Sequence, residues 1–190
     1  THAANRRPNL PGAAVQLAVG READGFAQNY FVGTQASDGY RDHDTSKKYS
    51  LGGKWFYGSL DDGMRVGLTA RAYHHEADEP GFMTADELHA HRRGSDLRNG
   101  NDGDDRDMRQ IAAHVDLKLS DALTFGTRLY YSRYEDDRRV TFSDLPTGNL
   151  PRQRRVWDER QTGLLSTLTW QASPALTVEG GLNYEQQDNG

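Results

Sequence analysis

Arginine is the residue type in this chain best suited to chemistry. Of 23 basic residues among 190, four are lysine (Lys47, Lys48, Lys54, Lys118) and the remaining 19 are arginine. A guanidinium is a planar fork that pairs with carboxylate, catecholate or phosphate oxygens through charge-assisted hydrogen bonds. Two stretches concentrate it. One holds Arg92, Arg93, Arg98 and Arg106; the other holds Arg138, Arg139, Arg152, Arg154, Arg155 and Arg160. Pro151-Arg152-Gln153-Arg154-Arg155 has no acid in the five residues before it and only Asp158 and Glu159 soon after. Arg152, Arg154 and Arg155 are therefore the expected anion ligands, with Arg92 and Arg93 as a second candidate pair. The many Asp and Glu of the same stretches must claim some of these cations as local partners.

Other chemistry is thinly represented. The absence of cysteine excludes disulfides, thiolate metal sites and thiol nucleophiles. His74 and His75 are neighbours on an extended segment and point to opposite faces, so together they cannot chelate one ion. His89 and His91 flank Ala90 in a short segment that begins with Thr84 and carries Glu87 three residues later, a capping-box pattern. Positions two apart on a helix diverge, which disfavours a shared metal. Asn99-Gly100-Asn101-Asp102-Gly103-Asp104-Asp105-Arg106-Asp107 is rich in oxygen ligands but does not fit the calcium-loop frame. It reads as a solvated, mobile loop. No Ser–His–Asp frame, carboxylate pair or phosphate-cradling glycine loop stands out. The chain is expected to be no enzyme, with no cofactor and no metal.

Composition narrows the class. Formal net charge is −5, which argues against a nucleic-acid binder. Hydrophobic residues are 35%, yet nine Tyr, six Phe and three Trp argue against disorder. No run approaches the ~18 apolar residues of a membrane-spanning helix. A membrane-spanning barrel remains compatible, because its strands need only every second residue to be apolar.

Alternation with period two runs nearly throughout. Ile111, Ala113, Val115, Leu117 and Leu119 alternate with Gln110, Ala112, His114, Asp116 and Lys118. Leu123, Phe125, Leu129 and Tyr131 alternate with Thr124, Gly126, Arg128 and Tyr130. Met64, Val66, Leu68, Ala70 and Ala72 alternate with Arg65, Gly67, Thr69 and Arg71. With Ala13–Val19, Phe26–Gln35, Tyr49–Tyr57, Gly163–Trp170 and Leu176–Tyr184 the set comes to eight strands. The clear ones run about 9–12 residues, enough to cross a bilayer at a tilt and longer than the ~5–6 usual in soluble domains. Short turns (Glu22–Gly25, Leu60–Gly63, Ser120-Asp121, Ser173-Pro174) alternate with long connections (Asp38–Ser46, Glu76–Arg106, Asp136–Arg160). The second long connection has roughly thirty residues, uncommon inside a compact soluble domain.

Short turns on one edge and long loops on the other are the plan of an outer-membrane barrel, with the turns periplasmic and the loops extracellular. Trp55, Tyr57 and Trp170 fall at the short-turn end and Tyr49, Tyr131 and Tyr184 at the long-loop end, as interfacial girdles require. Charge in the hydrocarbon zone is costly. The face with Ile111, Val115, Leu117, Leu123, Phe125, Leu129, Leu68 and Val66 must therefore meet lipid. The face with Arg65, Arg71, Arg128, Asp116, Lys118 and Glu179 must line the lumen.

Three stretches carry a family resemblance: Ser37-Asp38-Gly39-Tyr40-Arg41-Asp42-His43, Tyr49-Ser50-Leu51-Gly52-Gly53-Lys54 and Glu79-Pro80-Gly81-Phe82-Met83-Thr84. In this order they resemble the early barrel strands of TonB-dependent outer-membrane receptors, closest to those for anionic ferric chelates, the ferric citrate type included. Later down-turn-up units, LSDALTFGTRLYYSRYED and WQASPALTVEGGLNYEQQ, extend the likeness loosely over nearly the whole chain. The resemblance implies an all-β fold: a segment of an antiparallel transmembrane β-barrel of about eight long strands. It implies the bacterial outer membrane, a ferric siderophore or other anionic chelate as ligand, the bilayer as surroundings, and the TonB complex as partner through a plug region. Both chain ends fall on the long-loop side, and Gln186-Gln187-Asp188-Asn189-Gly190 does not read as a strand able to pair with the first. Residues 1–190 are thus expected to be an internal part of a larger barrel, without plug or C-terminal strands. A porin-like channel and a soluble carbohydrate-binding β-sandwich are the alternatives.

Overall fold

The computed structural model describes residues 12–142 and 152–190. They form one eight-stranded antiparallel sheet in which every strand pairs with its sequence neighbour. The strands are β1 (Ala13–Ala23), β2 (Phe26–Ser37), β3 (Ser46–Ser59), β4 (Met64–Asp78), β5 (Gly103–Ser120), β6 (Leu123–Thr141), β7 (Arg152–Ser173) and β8 (Leu176–Asn189). One short helix, α1 (Ala85–Ala90), lies in the β4–β5 connection. This is the expected barrel-segment architecture.

The turns are local chemistry. Asp24 and Gly25 both take positive φ (52° and 73°), the two-residue hairpin turn whose twist matches that of the strands. Ser120 and Ser173 each accept the backbone N–H two residues on, at 3.3 Å, inside the β5–β6 and β7–β8 turns. In α1 the capping box is formed: the Glu87 N–H donates to Thr84 Oγ1, and the Thr84 N–H donates to the Glu87 carboxylate at 2.7 Å.

Residues opposite one another in an antiparallel ladder share a face. One face carries the rows Met64–Leu117–Phe125–Leu168, Val66–Val115, Leu68–Ala113–Leu129–Leu164–Tyr184 and Ala70–Ile111–Tyr131. The other carries Arg65–Asp116–Gly126–Thr167, Gly67–His114–Arg128–Leu165 and Arg71–Gln110–Ser132–Gln161. All eight residues expected to meet lipid lie on the first face, and all six expected to line the lumen lie on the second. Trp55, Tyr57, Trp170, Tyr49, Tyr131 and Tyr184 are on the apolar face as well. Among the described residues the only buried hydrophobic is Ala112, while Leu17, Leu129, Trp170 and Leu182 are exposed. The sheet thus presents one contiguous apolar face with no protein against it among the described residues, the kind of surface that marks an interaction site.

Three expectations are corrected. First, the strands have 11 to 22 residues rather than about 9–12. The apolar band itself, from Leu123 to Tyr131, spans about nine residues, as a tilted crossing requires. Beyond it the ladder continues while the outward face turns ionic: Ala72–Arg109–Arg133–Arg160, then His74–Asp107–Glu135–Asp158. Most of the expected Asp136–Arg160 loop is therefore strand, because backbone pairing continues in water whenever the side chains suit water. Second, Gln186 to Asn189 are strand, part of β8, and pair with β7 as far as Glu159–Asn189, although β8 does not pair with β1. Third, Asn99–Asp107 is no solvated loop. Asn99 and Asp102 are 3% and 5% exposed, and β5 starts at Gly103.

Candidate functional site

The site is built at the long-loop end, where the polar face of β4–β7 meets the connections Asp38–Thr45 and Glu79–Asp102. Asp102 is its hub. Its Oδ2 accepts from Asn99 Nδ2 (2.7 Å) and from the Thr141 N–H (2.8 Å), and its Oδ1 accepts from Thr141 Oγ1 (2.7 Å). Its backbone carbonyl lies 2.7 Å from His43 Nε2. One carboxylate thus ties the end of β6 to the loop that precedes β5. A buried polar group persists only when hydrogen-bonded in this way.

Arg41 is the second tie. Its guanidinium donates to three carbonyls: Nε to Gly94 (3.0 Å), Nη1 to Gly81 (2.7 Å) and Nη2 to Pro80 (3.2 Å). The fork geometry permits this clamp, and lysine could not reproduce it. Gly81 takes φ of +67° with the Asn99 amide against it, so a side chain there is excluded both by conformation and by space. Two of the motifs behind the family resemblance, Ser37–His43 and Glu79–Thr84, are therefore in contact.

A charged layer lies beneath on the polar face. Arg138 Nη2 donates to Glu79 (2.8 Å); Arg106 pairs with Asp104 and with Asp136 (3.3 Å). Burial raises the Asp104 carboxyl against the opposing pull of Arg106 and His75, and burial lowers the His75 imidazole. These cations are consumed by structure. Deeper on the same face, Arg65 donates to Asp116 through Nε (3.0 Å) and Nη2 (2.9 Å). Arg71 and Arg128, by contrast, form no ion pair among the described residues. Arg128 lies 5.6 Å over the Tyr130 ring, with its Nε buried and without a hydrogen-bond partner. Tyr130 can lie flat only because Gly163 stands opposite, where a Cβ would collide with the ring. Gln110, Arg128, Tyr130, Leu165 and Asn183 line an open hollow of about 290 Å³.

The arginines expected to act together are separated. Arg152 and Arg154 project from the outward face of β7, and Arg155 from the polar face. Arg154 is not free: Nε and Nη2 donate to the two oxygens of Asp137 at 2.8 and 2.7 Å. Arg155 stacks 5.1 Å from Phe142 and donates to Gln153. The argument from acids near in sequence misjudges Arg154, because its partner comes from the neighbouring strand. Arg93 joins the two connections, donating through Nε to the Tyr40 carbonyl (3.0 Å) and lying over the Tyr40 ring. Arg92 is exposed just beyond α1. Asp102 and Arg41, the organising residues, sit in stretches read respectively as a loose acidic loop and as a family motif. No spacing rule flags either one.

No family model matches the chain, and no curated protein matches it. Solved structures do. The ferric citrate transporter FecA, unliganded, aligns over 94% of this chain and 26% of its own, with TM-score 0.77 and 17% identity. The siderophore receptor PiuA from Acinetobacter baumannii aligns over 94% of this chain and 30% of its own, with TM-score 0.73 and 15% identity. The open form of the ferric-catecholate import receptor Fiu from E. coli K12 aligns over 93% and 33%, with TM-score 0.68 and 16% identity. The chain has the fold of a run of strands in such outer-membrane receptor barrels and spans about a quarter to a third of their length.

Proposed function

We propose that the chain is part of the barrel of a TonB-dependent outer-membrane receptor that takes up a ferric siderophore or a related anionic chelate. In this reading residues 1–190 are barrel wall, and the plug, the coupling to the TonB complex and the remaining strands belong to the rest of the whole protein. The observation that carries it is the coincidence of two features. The sheet has one lipid-compatible and one polar face, and it superimposes on a ferric citrate transporter, a siderophore receptor and a ferric-catecholate import receptor over 93–94% of its residues. The work done is passage and not bond chemistry. The bilayer meets the apolar face, and no nucleic acid is involved.

The ligand faces the polar side, so the cations that serve it are those not spent on carboxylates among the described residues: Arg128 and Arg71 in the wall, and Arg155 nearer the loops. Arg92 and Arg93 belong to the rim. Arg65 is held by Asp116 and sets the wall's local charge. Arg152 and Arg154 face away from the path.

The test uses the full-length receptor in iron-limited cells. Radio-iron uptake is measured for ferric citrate and for a ferric catecholate, with and without TonB. Uptake should require TonB. Arg128→Gln combined with Arg155→Gln should weaken chelate binding about tenfold or more, each charged hydrogen bond contributing about 1.5–3 kcal/mol. Arg152→Gln combined with Arg154→Gln should leave binding unchanged. Passive conductance without TonB-dependent uptake of either chelate would point to a channel and overturn the proposal.

A further inference from the structure

The outward face of the β4–β5 ladder holds a second cluster, away from the polar path. His74 stands opposite Asp107, and Glu76 opposite Asp105, so four ligating side chains occupy a two-by-two block on one face. His74 Nε2 is 3.4 Å from Glu76; His74 Nδ1 is 3.6 Å from Asp105 and 3.4 Å from Asp107. Ligand atoms of His74, Glu76 and Asp105 all lie within 4.8 Å of one another.

Left to themselves these residues should repel. Like charges directly opposite in a ladder are destabilising, and Glu76 and Asp105 are such a pair. Lys47 faces Glu76 from β3, and Arg109 follows Asp107 by two residues on the same face. Yet among the described residues no lysine or arginine lies within ion-pair distance of Glu76, Asp105 or Asp107. The His74 ring is fixed from the other side by Tyr49, stacked at 6.3 Å with an interplanar angle of 22°. A positioned imidazole among three carboxylates is a ligand set for one cation. Around an ion with bonds of about 2.0–2.2 Å, tetrahedral ligand atoms sit roughly 3.4 Å apart, close to the 3.6 and 3.4 Å from His74 Nδ1 to Asp105 and Asp107. Imidazole nitrogen favours zinc-like first-row ions over calcium or magnesium, which take oxygen.

We infer that His74, Glu76, Asp105 and Asp107 bind one divalent transition-metal ion of the zinc class on the outer wall, just beyond the apolar band. The ion clamps β4 to β5 where their carboxylates would otherwise push the strands apart. The site faces away from Arg128 and the polar hollow, so it is independent of the transport reading.

The test takes the full-length protein in detergent, stripped with a chelator and titrated calorimetrically with Zn²⁺ alone. One saturable site is expected, weakened at least tenfold by His74→Ala and by Asp105→Asn but unmoved by Asp61→Asn in the β3–β4 turn. Co²⁺ should bind with the visible absorption of nitrogen–oxygen coordination, and that spectrum should be lost in His74→Ala. Assembly of each variant is checked by heat-modifiable gel mobility. If His74→Ala does not assemble, Asp105→Asn at a half-buried carboxylate and Glu76→Gln at an exposed one decide. The inference is overturned by the absence of saturable Zn²⁺ binding, by wild-type affinity in the assembled variants, or by Ca²⁺ competing as an equal.

Discussion

The strands of β4–β7 carry two surfaces in series. From Leu123 to Tyr131, and across to Leu168 and Met64, the outward face is aliphatic and aromatic. A few residues further along the same strands it is Arg109, Arg133 and Arg160, then Asp107, Glu135 and Asp158. The backbone ladder crosses the border without a break. The difference teaches that the ladder is indifferent to its surroundings, whereas each outward side chain records which solvent it meets. Apolar alternation therefore marks the extent of the apolar band, not the extent of the strand.

The strongest way to break this comparison is to place the same charge in both surfaces. Leu129 and Val156 face outward with nearly equal exposure, 55% and 56%. Leu129→Arg should cost about 2–4 kcal/mol near the bilayer midplane, read by denaturant titration of the full-length protein folded into vesicles. Val156→Arg should change stability by no more than about 0.5 kcal/mol. Equal costs at the two sites would place them in one solvent and dissolve the distinction.

The next effect concerns the hub above the border. Asp102→Ala leaves the Thr141 N–H, Thr141 Oγ1 and Asn99 Nδ2 without their acceptor. An unsatisfied buried group costs about 1–3 kcal/mol, and the loss should be local. Hydrogen exchange should quicken at Thr141 and through Glu79–Asp102, while amides of Phe125 to Leu129 hold their protection. Uniform acceleration over both regions would show that loop end and band open as one unit.

Much of this was legible before any coordinates. The eight strands, the two faces, the aromatic ends and the Thr84–Glu87 cap follow from period two and local hydrogen-bond chemistry, which are written in neighbouring residues. What failed has two physical causes. Gly103–Arg106, Asp136–Thr141 and Arg152–Arg160 look like loop because their outward residues are charged, and composition cannot tell a solvated ladder from a solvated coil. The partnership of Arg154 with Asp137, and of His74 with Asp105 and Asp107, depends on register between strands, which no stretch of either strand contains. Asp102 looks solvated in sequence because the partner that satisfies it, Thr141, lies 39 residues away.

A smaller effect sharpens the account of the ionic surface. Asp158 is held down to about 2 by hydrogen bonds from Arg133 and Arg160. Its folded value lies below the ordinary 3.8, so its contribution is present above about 3.8 and is lost as the pH falls through about 2. A carboxyl-carbon NMR titration of the full-length protein should give a midpoint near 2, moved up toward 3.8 in Arg133→Gln. A midpoint already at 3.8 in the unaltered protein would mean that these guanidinium bonds do not persist in solution.

The smallest effect asks what holds the extended ladder together. Arg154 and Asp137 form a two-point pair on an exposed outward surface. Such pairs gain little, because water screens the charges and two long side chains lose freedom. If the ionic rows lie in water, a double-mutant cycle with Arg154→Gln and Asp137→Asn should show weak coupling at low salt. It should vanish near 1 M, where the Debye length is about 3 Å. The backbone ladder from Arg139–Arg154 to Thr141–Arg152 should survive in both single variants, as amide exchange would show. Coupling that persists at high salt would mean that the pair is shielded from water. The border between the two surfaces would then lie further out than the side chains place it, and the ions, rather than the backbone, would be holding β6 to β7.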